Sequence, residues 1–425
     1  MPETVESFLS AVHRTFAEVT RKAPGYFATR PLRADDPPAG AAEAVRAAFG
    51  VTLRATVREE FTAVDDLLDR RRTCLDGTDD PDGSGEDWAG WRRRQDRRFA
   101  VRSARAARLA RTMDRREVRT AGSRIRYRAG GQGPLVVLLT ALGYTDEVWY
   151  PLAERLLPGR RVVMWDAEDA SEPDRLRSTE RQLDVVDGVL AAEGARACDV
   201  VGWCSGAQLA VEYAHSRPRA VRAAVLLHGS YPRAATDPAS AYERNLATVC
   251  ASVAARPHRA DRALRMLTGA AEPAPLPTDE HLAALEVLAR VLPGLAPVLR
   301  HPFRDADALV RYSRMLDELW RRPLPAPSPG LPPLLSLAAE LDRVAAPEPP
   351  AALVPLLAGR HGLLVGATHY SLLERPEVVA DMCRAFLDDP AAAVPVAGGP
   401  KEVRWAATDR PLTTVYEPIR VGVTR

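Results

Sequence analysis

The stretch Gly202-Trp203-Cys204-Ser205-Gly206 sets a cysteine between two glycines, after the apolar run Asp199-Val-Val-Gly-Trp203 and ahead of a helical stretch from Ala207 to His215. A strand that turns sharply into a helix crowds its own backbone, and small residues two before and two after the apex relieve the crowding. The apex side chain then stands above the sheet, where a substrate can meet it. Cys204 holds that place and is the candidate nucleophile, with Gly202 and Gly206 forming the elbow. Ser205 cannot take the role in the same frame, because its own flanking positions are Trp203 and Ala207. The plainer reading, a small buried hydrophobe in an ordinary turn, leaves the coincidence of strand, two glycines and helix unexplained.

A thiol with a pKa of about 8.5 needs a base to become a strong nucleophile. Asp342 lies just beyond the strand-like run Leu334-Leu-Ser-Leu-Ala338, and His369 lies in the loop after Gly362-Leu-Leu-Val-Gly366. The chain order is thus nucleophile, acid, histidine, and the three groups a triad needs are present. Glu340 rivals Asp342 as the acid, and His228, which ends the run Val221 to Leu227, rivals His369 as the base. His215, His258, His301 and His361 sit beside Arg or Pro at helix ends and in loops and read as solvent-facing. The positive end of the helix opening at Ser205 favours a thiolate. An oxyanion needs two donors: the amide of Ser205, and that of Leu142 or Ala141 in Thr140-Ala141-Leu142-Gly143.

Positioning such groups takes a sheet. Leu135-Val-Val-Leu-Leu139, Val162-Val-Met-Trp-Asp166, Asp199 to Trp203 and Val221 to Leu227 are continuous apolar runs, the pattern of strands covered on both faces. Helical stretches such as Arg181 to Leu190 separate them, which implies an α/β fold with a mostly parallel sheet and helices on both faces. Residues 1–118 read as a helical N-terminal region, broken by the turn-forming loop from Gly77 to Gly85. The core follows over residues 119–230 and 329–390, with a helical insertion over 231–328 and an extended tail over 391–425. A proline-rich stretch from Pro323 to Pro333 leads stiffly back from the insertion to the core.

Composition narrows the setting. Hydrophobic residues make up 46% of the 425 and charged residues 27%, ordinary values for a soluble protein, and the net charge is +2. Lys22 and Lys401 are the only lysines, so nearly all of the 58 basic residues are arginine, the mark of a GC-rich coding sequence. The cysteines, Cys74, Cys198, Cys204, Cys250 and Cys383, are odd in number and lack paired metal-ligand spacing. That pattern argues against a disulfide framework or a metal site and suits a reducing cytoplasm. Met1 to Ser10 carries two acidic residues and no basic one, unlike a secretory signal, and no apolar run is long enough to span a bilayer.

The elbow, the acid and the histidine loop together resemble the α/β-hydrolase superfamily, over about residues 119–230 and 329–390. Where many relatives have His-Gly after the first central strand, this chain has Thr140-Ala141-Leu142-Gly143. A cysteine nucleophile behind a helical region of this length resembles the aminoacyltransferases of nonribosomal peptide pathways, typified by the syringomycin and coronatine shuttle enzymes. That resemblance implies transfer of an aminoacyl group between the phosphopantetheine thiols of carrier domains, with no permanently bound cofactor. Exchange between thioesters is nearly isoenergetic, which suits sulfur, whereas an oxoester on serine favours release to water. A cysteine hydrolase or editing thioesterase is the alternative reading, and an inactive hydrolase-fold interaction module is a third.

Carrier domains are acidic, and residues 92–128 hold fifteen arginines against Asp96, Asp114 and Glu117. Arg102, Arg105, Arg108 and Arg111 recur every three residues and form a candidate docking stripe. A solvated helix face, swollen by the arginine bias, is the plain alternative. No aromatic residues interleave the arginines as a nucleic-acid platform requires. Nothing in the insertion declares a substrate; Asp237, Asp261 and Glu318 are its candidate carboxylates for an α-amine, each also readable as a surface charge.

Overall fold

A computed structural model describes residues 88–120, 122–166, 178–268, 293–364, 367–391 and 403–405. The chain divides into two compact units, and the larger, Gln95–Ala271 with Val291–Leu412, holds the sheet and everything discussed below apart from the first turns of one helix. The loop from Gly77 to Gly85 and the helical run from Ala283 to Leu292 lie outside the described residues.

Among the described residues nine strands make one sheet: β1 (Asp114–Thr120), β2 (Ser123–Gly130), β3 (Leu135–Leu139), β4 (Arg161–Trp165), β5 (Cys198–Trp203), β6 (Val221–Leu227), β7 (Leu334–Ala339), β8 (His361–Leu364) and β9 (Val403–Trp405). Their order is β1-β2-β4-β3-β5-β6-β7-β8-β9, parallel from β4 to β8 and antiparallel at both ends. The helices are α1 (Trp88–Thr112), α2 (Tyr150–Leu156), α3 (Thr179–Ala192), α4 (Ser205–Ser216), α5 (Ala241–Ala255), α6 (Ala260–Thr268), α7 (Ala296–Leu299), α8 (Ala306–Arg321), α9 (Val354–Leu357), α10 (Ser371–Glu374) and α11 (Pro376–Asp388).

The unbroken apolar runs have a direct cause. Side chains alternate across a strand, so Val136 and Leu138 of β3 join one core with Trp149, Leu152, Leu156 and Phe386. Val137 and Leu139 join the opposite core with Leu183, Val186 and Tyr213. With both faces covered, every position of β3 and β5 is buried. The core excludes water on either side of the elbow and leaves its end of the sheet as the open one.

Two strands depart from the sequence reading. The first begins at Asp114, inside the region expected to be helical, and continues to Thr120 against β2. Asp-Arg-Arg-Glu-Val-Arg-Thr lacks apolar alternation because β1 is an edge strand with most of its residues exposed, and charge is what such an edge needs. The second departure is β9, which takes three residues of the tail, Val403, Arg404 and Trp405, into the other edge against β8. His361, expected in solvent, opens β8 buried, with Nδ1 3.0 Å from Ser336 Oγ.

At the end of β5 remote from Cys204, Asp199 accepts from Arg160 at 2.8 Å and Arg222 at 2.6 Å, its side chain 1% exposed. Burial pushes its carboxyl up to about 6, with Arg222 and Arg160 offsetting part of the rise. The folded chain therefore holds this proton more tightly than the unfolded chain, whose aspartate titrates near its ordinary value of about 4. Asp199 accordingly contributes less stability as pH rises from about 4 to about 6. Asp199→Asn is expected to flatten that part of the stability profile and to lose about 3 kcal/mol, because two arginines lose a buried partner. Urea denaturation from pH 4 to pH 7 reads both effects, and a variant with the wild-type slope would disprove the assignment.

Candidate active site

Cys204 links β5 to α4 with φ 55° and ψ −122°, a conformation rare for a residue bearing a side chain. Three hydrogen bonds hold it. Its N–H donates to the Leu227 carbonyl at 3.0 Å, and its own carbonyl accepts from Ala207 at 3.0 Å and Ser230 at 3.1 Å. The glycines are required by close approach: a Cβ on Gly202 would lie 2.3 Å from the Gly206 carbonyl oxygen. One on Gly206 would lie 2.2 Å from that of Leu139. Backbone on both sides leaves no flexible neighbour to yield, so the elbow closes only without these side chains.

The strand ends bring the partners together. Asp342, beyond β7, has one carboxylate oxygen capped by the N–H groups of Val344 at 2.7 Å and Ala345 at 2.8 Å. The other oxygen, Oδ2, is 2.8 Å from His369 Nδ1. In the neutral ring that bond favours the Nδ1–H tautomer, with Nε2 left for the cavity that His369 and Cys204 both line. Burial disfavours the charged ring, yet Asp342 and the Cys204 thiolate outweigh it and raise His369 to about 10. The arrangement thus favours an imidazolium whenever Cys204 is ionised. Trp203 braces the ring from the side, donating from Nε1 to the His369 carbonyl at 3.0 Å with the rings 5.4 Å apart.

The rivals lie beside the pair but outside its hydrogen bond. His228 is 1% exposed, with Nε2 2.6 Å from Ser371 Oγ, and its ring is 5.8 Å from that of His369. Burial lowers it to about 3, so it stays neutral beside the pair. Glu340 is buried in the same β7 turn, but it is Asp342 that accepts the hydrogen bond from His369. The loop after β3 is different from its expected arrangement in one respect. Leu142 donates its amide hydrogen to Ser205 Oγ at 2.9 Å, in a buried contact, while Ala141 lines the cavity beside Cys204.

The cavity measures about 20 Å³, room for a single water and little more. Its wall is aromatic, with Tyr144, Trp203, Tyr242, Tyr312, Trp320 and Tyr370 around the thiol. Helices α5 and α8 of the insertion supply Tyr242, Leu246, Tyr312 and Leu316, which makes the insertion a cap over the elbow. It is tied to the loop after β3 by His301 Nδ1, 2.9 Å from the Gly143 carbonyl oxygen. None of the three candidate cap carboxylates lines the cavity, in keeping with their reading as surface charges. Asp237 accepts from the amides of Ala234 and Ala351, Glu318 from Thr179, and Asp261 is exposed on the first turn of α6. Glu243 does line it, but its oxygens are held by Arg233, Ser240 and Ala346. The spacing Ser240-x-x-Glu243, a capping box at the start of α5, was the sequence signal for it. The tyrosines carried no such signal, since a tyrosine can pack in a core as well as in a cleft.

The arginine stripe on α1 is divided. Arg102 pairs with Glu377 at 3.3 Å and Arg105 with Glu154 at 2.8 Å, while Arg108 and Arg111 are exposed. Phe99, Ala106 and Ala110 are the buried face of this helix, so the first two arginines serve to fasten it. Among the described residues no helix is long and apolar enough to cross a membrane.

Comparison with solved structures finds similarity to several enzymes. A bacterial membrane phospholipase A shares 21% identity over 69% of this chain and 93% of its own, with a TM-score of 0.48. The esterase RhEst1 from Rhodococcus sp. ECU1013 shares 19% over 65% and 99%, at 0.46. Epoxide hydrolase A from Mycobacterium thermoresistibile shares 21% over 65% and 99%, at 0.45. No curated protein matches the sequence. The Alpha/beta hydrolase family matches residues 136–382, from the second residue of β3 into α11 and so across the elbow, Asp342 and His369. With more than half of its length matched, this chain belongs to the Alpha/beta hydrolase family.

Proposed function

We propose that the protein is an acyltransferase in which Cys204 carries an acyl or aminoacyl group between the phosphopantetheine thiols of carrier proteins. The observation that carries this reading is the Asp342–His369 hydrogen bond with His369 lining the same cavity as a cysteine, rather than a serine, at the elbow. Cys204 Sγ attacks the carbonyl carbon of a carrier-bound thioester, its proton passing to His369 Nε2 and the carbonyl π pair to oxygen. The oxyanion then collapses, the carbon–sulfur bond to pantetheine breaks, and the departing sulfur takes the proton from His369. The thiol of an acceptor carrier reverses these steps at nearly equal energy. Arg108 and Arg111, exposed at the end of α1, support approach of an acidic carrier.

A second reading, hydrolysis through the same acyl-enzyme, is favoured by the family and by a cavity with room for one water beside the thiol. Incubating the chain with an aminoacyl-loaded carrier domain and an empty acceptor separates the two. Transfer gives an adduct on Cys204 and then a loaded acceptor; free acid alone supports hydrolysis; no adduct with rapid turnover of simple esters defeats transfer.

The narrow cavity makes cap movement or cap trimming necessary for any sizeable acyl chain. Tyr312 of α8, buried against the Gly143 turn, is one of the side chains that close it. Tyr312→Ala is expected to raise the kcat/KM ratio of p-nitrophenyl butanoate to acetate about tenfold, within what a few methylenes of pocket space are worth. An unchanged ratio would remove Tyr312 from the specificity wall.

A further inference from the structure

Ser205 supplies its amide to the helix start, where the first N–H groups have no partner within the helix and point toward the apex. Its side chain is 2% exposed and lines the same cavity as Cys204. Ser205 Oγ accepts the Leu142 amide hydrogen at 2.9 Å, and its own hydroxyl hydrogen has no acceptor among the described residues. A hydroxyl is one donor with two acceptor lone pairs, so accepting from Leu142 leaves its proton free to be given. Accepting that bond also polarises the O–H and makes it a better donor.

We propose that the second oxyanion donor is the side-chain hydroxyl of Ser205, charged through Leu142, rather than the Leu142 amide itself. The proposal rests on Cys204 being the acyl-carrying nucleophile. As Cys204 Sγ bonds to the carbonyl carbon, the π pair moves to oxygen, which receives hydrogen bonds from the amide and the hydroxyl of Ser205. Both hydrogens stay on Ser205 throughout; the transferred proton runs only from the thiol to His369 Nε2 and then to the leaving sulfur. A single residue thus provides both donors, and Leu142 acts one bond further out. Gly143 beyond it is clamped by the cap, a Cβ there meeting Tyr312 at 2.9 Å and Pro302 at 3.1 Å, so the loop is held in the geometry that serves Ser205.

Two reactions at the same sulfur separate this role from a structural one. Acylation by p-nitrophenyl acetate passes through an oxyanion; alkylation by iodoacetamide does not. In the full-length chain, Ser205→Ala is expected to slow acylation by about 10²- to 10³-fold, the effect of one lost oxyanion donor. Alkylation of Cys204 should stay within about twofold of wild type, since thiolate reactivity alone governs it. Ser205→Thr, which keeps the hydroxyl, should acylate within about tenfold of wild type. Full acylation in Ser205→Ala, with none in Cys204→Ala, returns the role to the Leu142 amide and overturns the proposal while leaving the nucleophile intact. Equal loss of both rates in Ser205→Ala also overturns it, as a fold defect. Wild-type rates of acylation and alkylation in Cys204→Ala remove the nucleophile, and this proposal with it.

Discussion

Cys204→Ala is expected to lose covalent acylation altogether and to reduce turnover of a thioester by about 10⁶-fold, the scale seen when a triad nucleophile is removed. The loss follows from position as well as chemistry. The other described thiols, Cys198, Cys250 and Cys383, are buried, and burial pushes each up to about 12. None can substitute, so intact mass after p-nitrophenyl acetate should show a single acetyl group in the wild type and none in the variant. Cys74 lies outside the described residues, and a Cys74→Ser background isolates its labelling from that of Cys204. Cys204→Ser tests the choice of sulfur. Its oxoester resists thiols, so transfer to a carrier should fall while the share released to water rises. A serine variant that transfers as well as the wild type would refute the argument that sulfur marks a thiol acceptor.

Much of this arrangement is legible in the sequence, for a physical reason. Central parallel strands are covered on both faces, and Leu135–Leu139 and Cys198–Trp203 announce themselves as unbroken apolar runs. The elbow adds a steric requirement, glycines at 202 and 206, that few other contexts impose. What escapes is whatever depends on partners distant in the chain. Edge strand β1 is written in charge, because it pairs with one strand only and most of its residues are exposed, and so reads as a helix. Tail strand β9 has three residues, too few to show a period. Nothing local tells that Arg102 and Arg105 pair with Glu377 and Glu154, distant in sequence. The aromatic cavity draws Tyr144, Tyr242, Tyr312 and Tyr370 from four separate segments, and no local pattern joins them. The amide of Leu142 is legible as a donor; that it gives its hydrogen to Ser205 is tertiary information.

Asp342→Asn is the companion test of the base. The carboxylate receives the Nδ1–H of His369 at 2.8 Å and is itself held by Val344 and Ala345, so it can neither rotate away nor share its charge with solvent. Asparagine of the same shape keeps the bonds to the two amides through its carbonyl oxygen and presents its NH₂ group to the ring. His369 must then turn its lone pair to Nδ1 and its hydrogen to Nε2, and the face toward Cys204 can no longer accept a proton. Acylation is expected to fall by about 10⁴-fold, the scale of a wrong tautomer in a triad of this geometry. The titration should move as well. In the wild type burial works against the imidazolium, and Asp342 leads the charges that overcome it and raise His369 to about 10. Without that charge the opposition of burial is left facing the thiolate alone, so the imidazole must titrate at lower pH. Imidazole NMR across the alkaline range follows this directly. A His369 signal that keeps its wild-type midpoint in Asp342→Asn, or acylation within about tenfold of wild type, would mean that Asp342 neither orients nor charges the base.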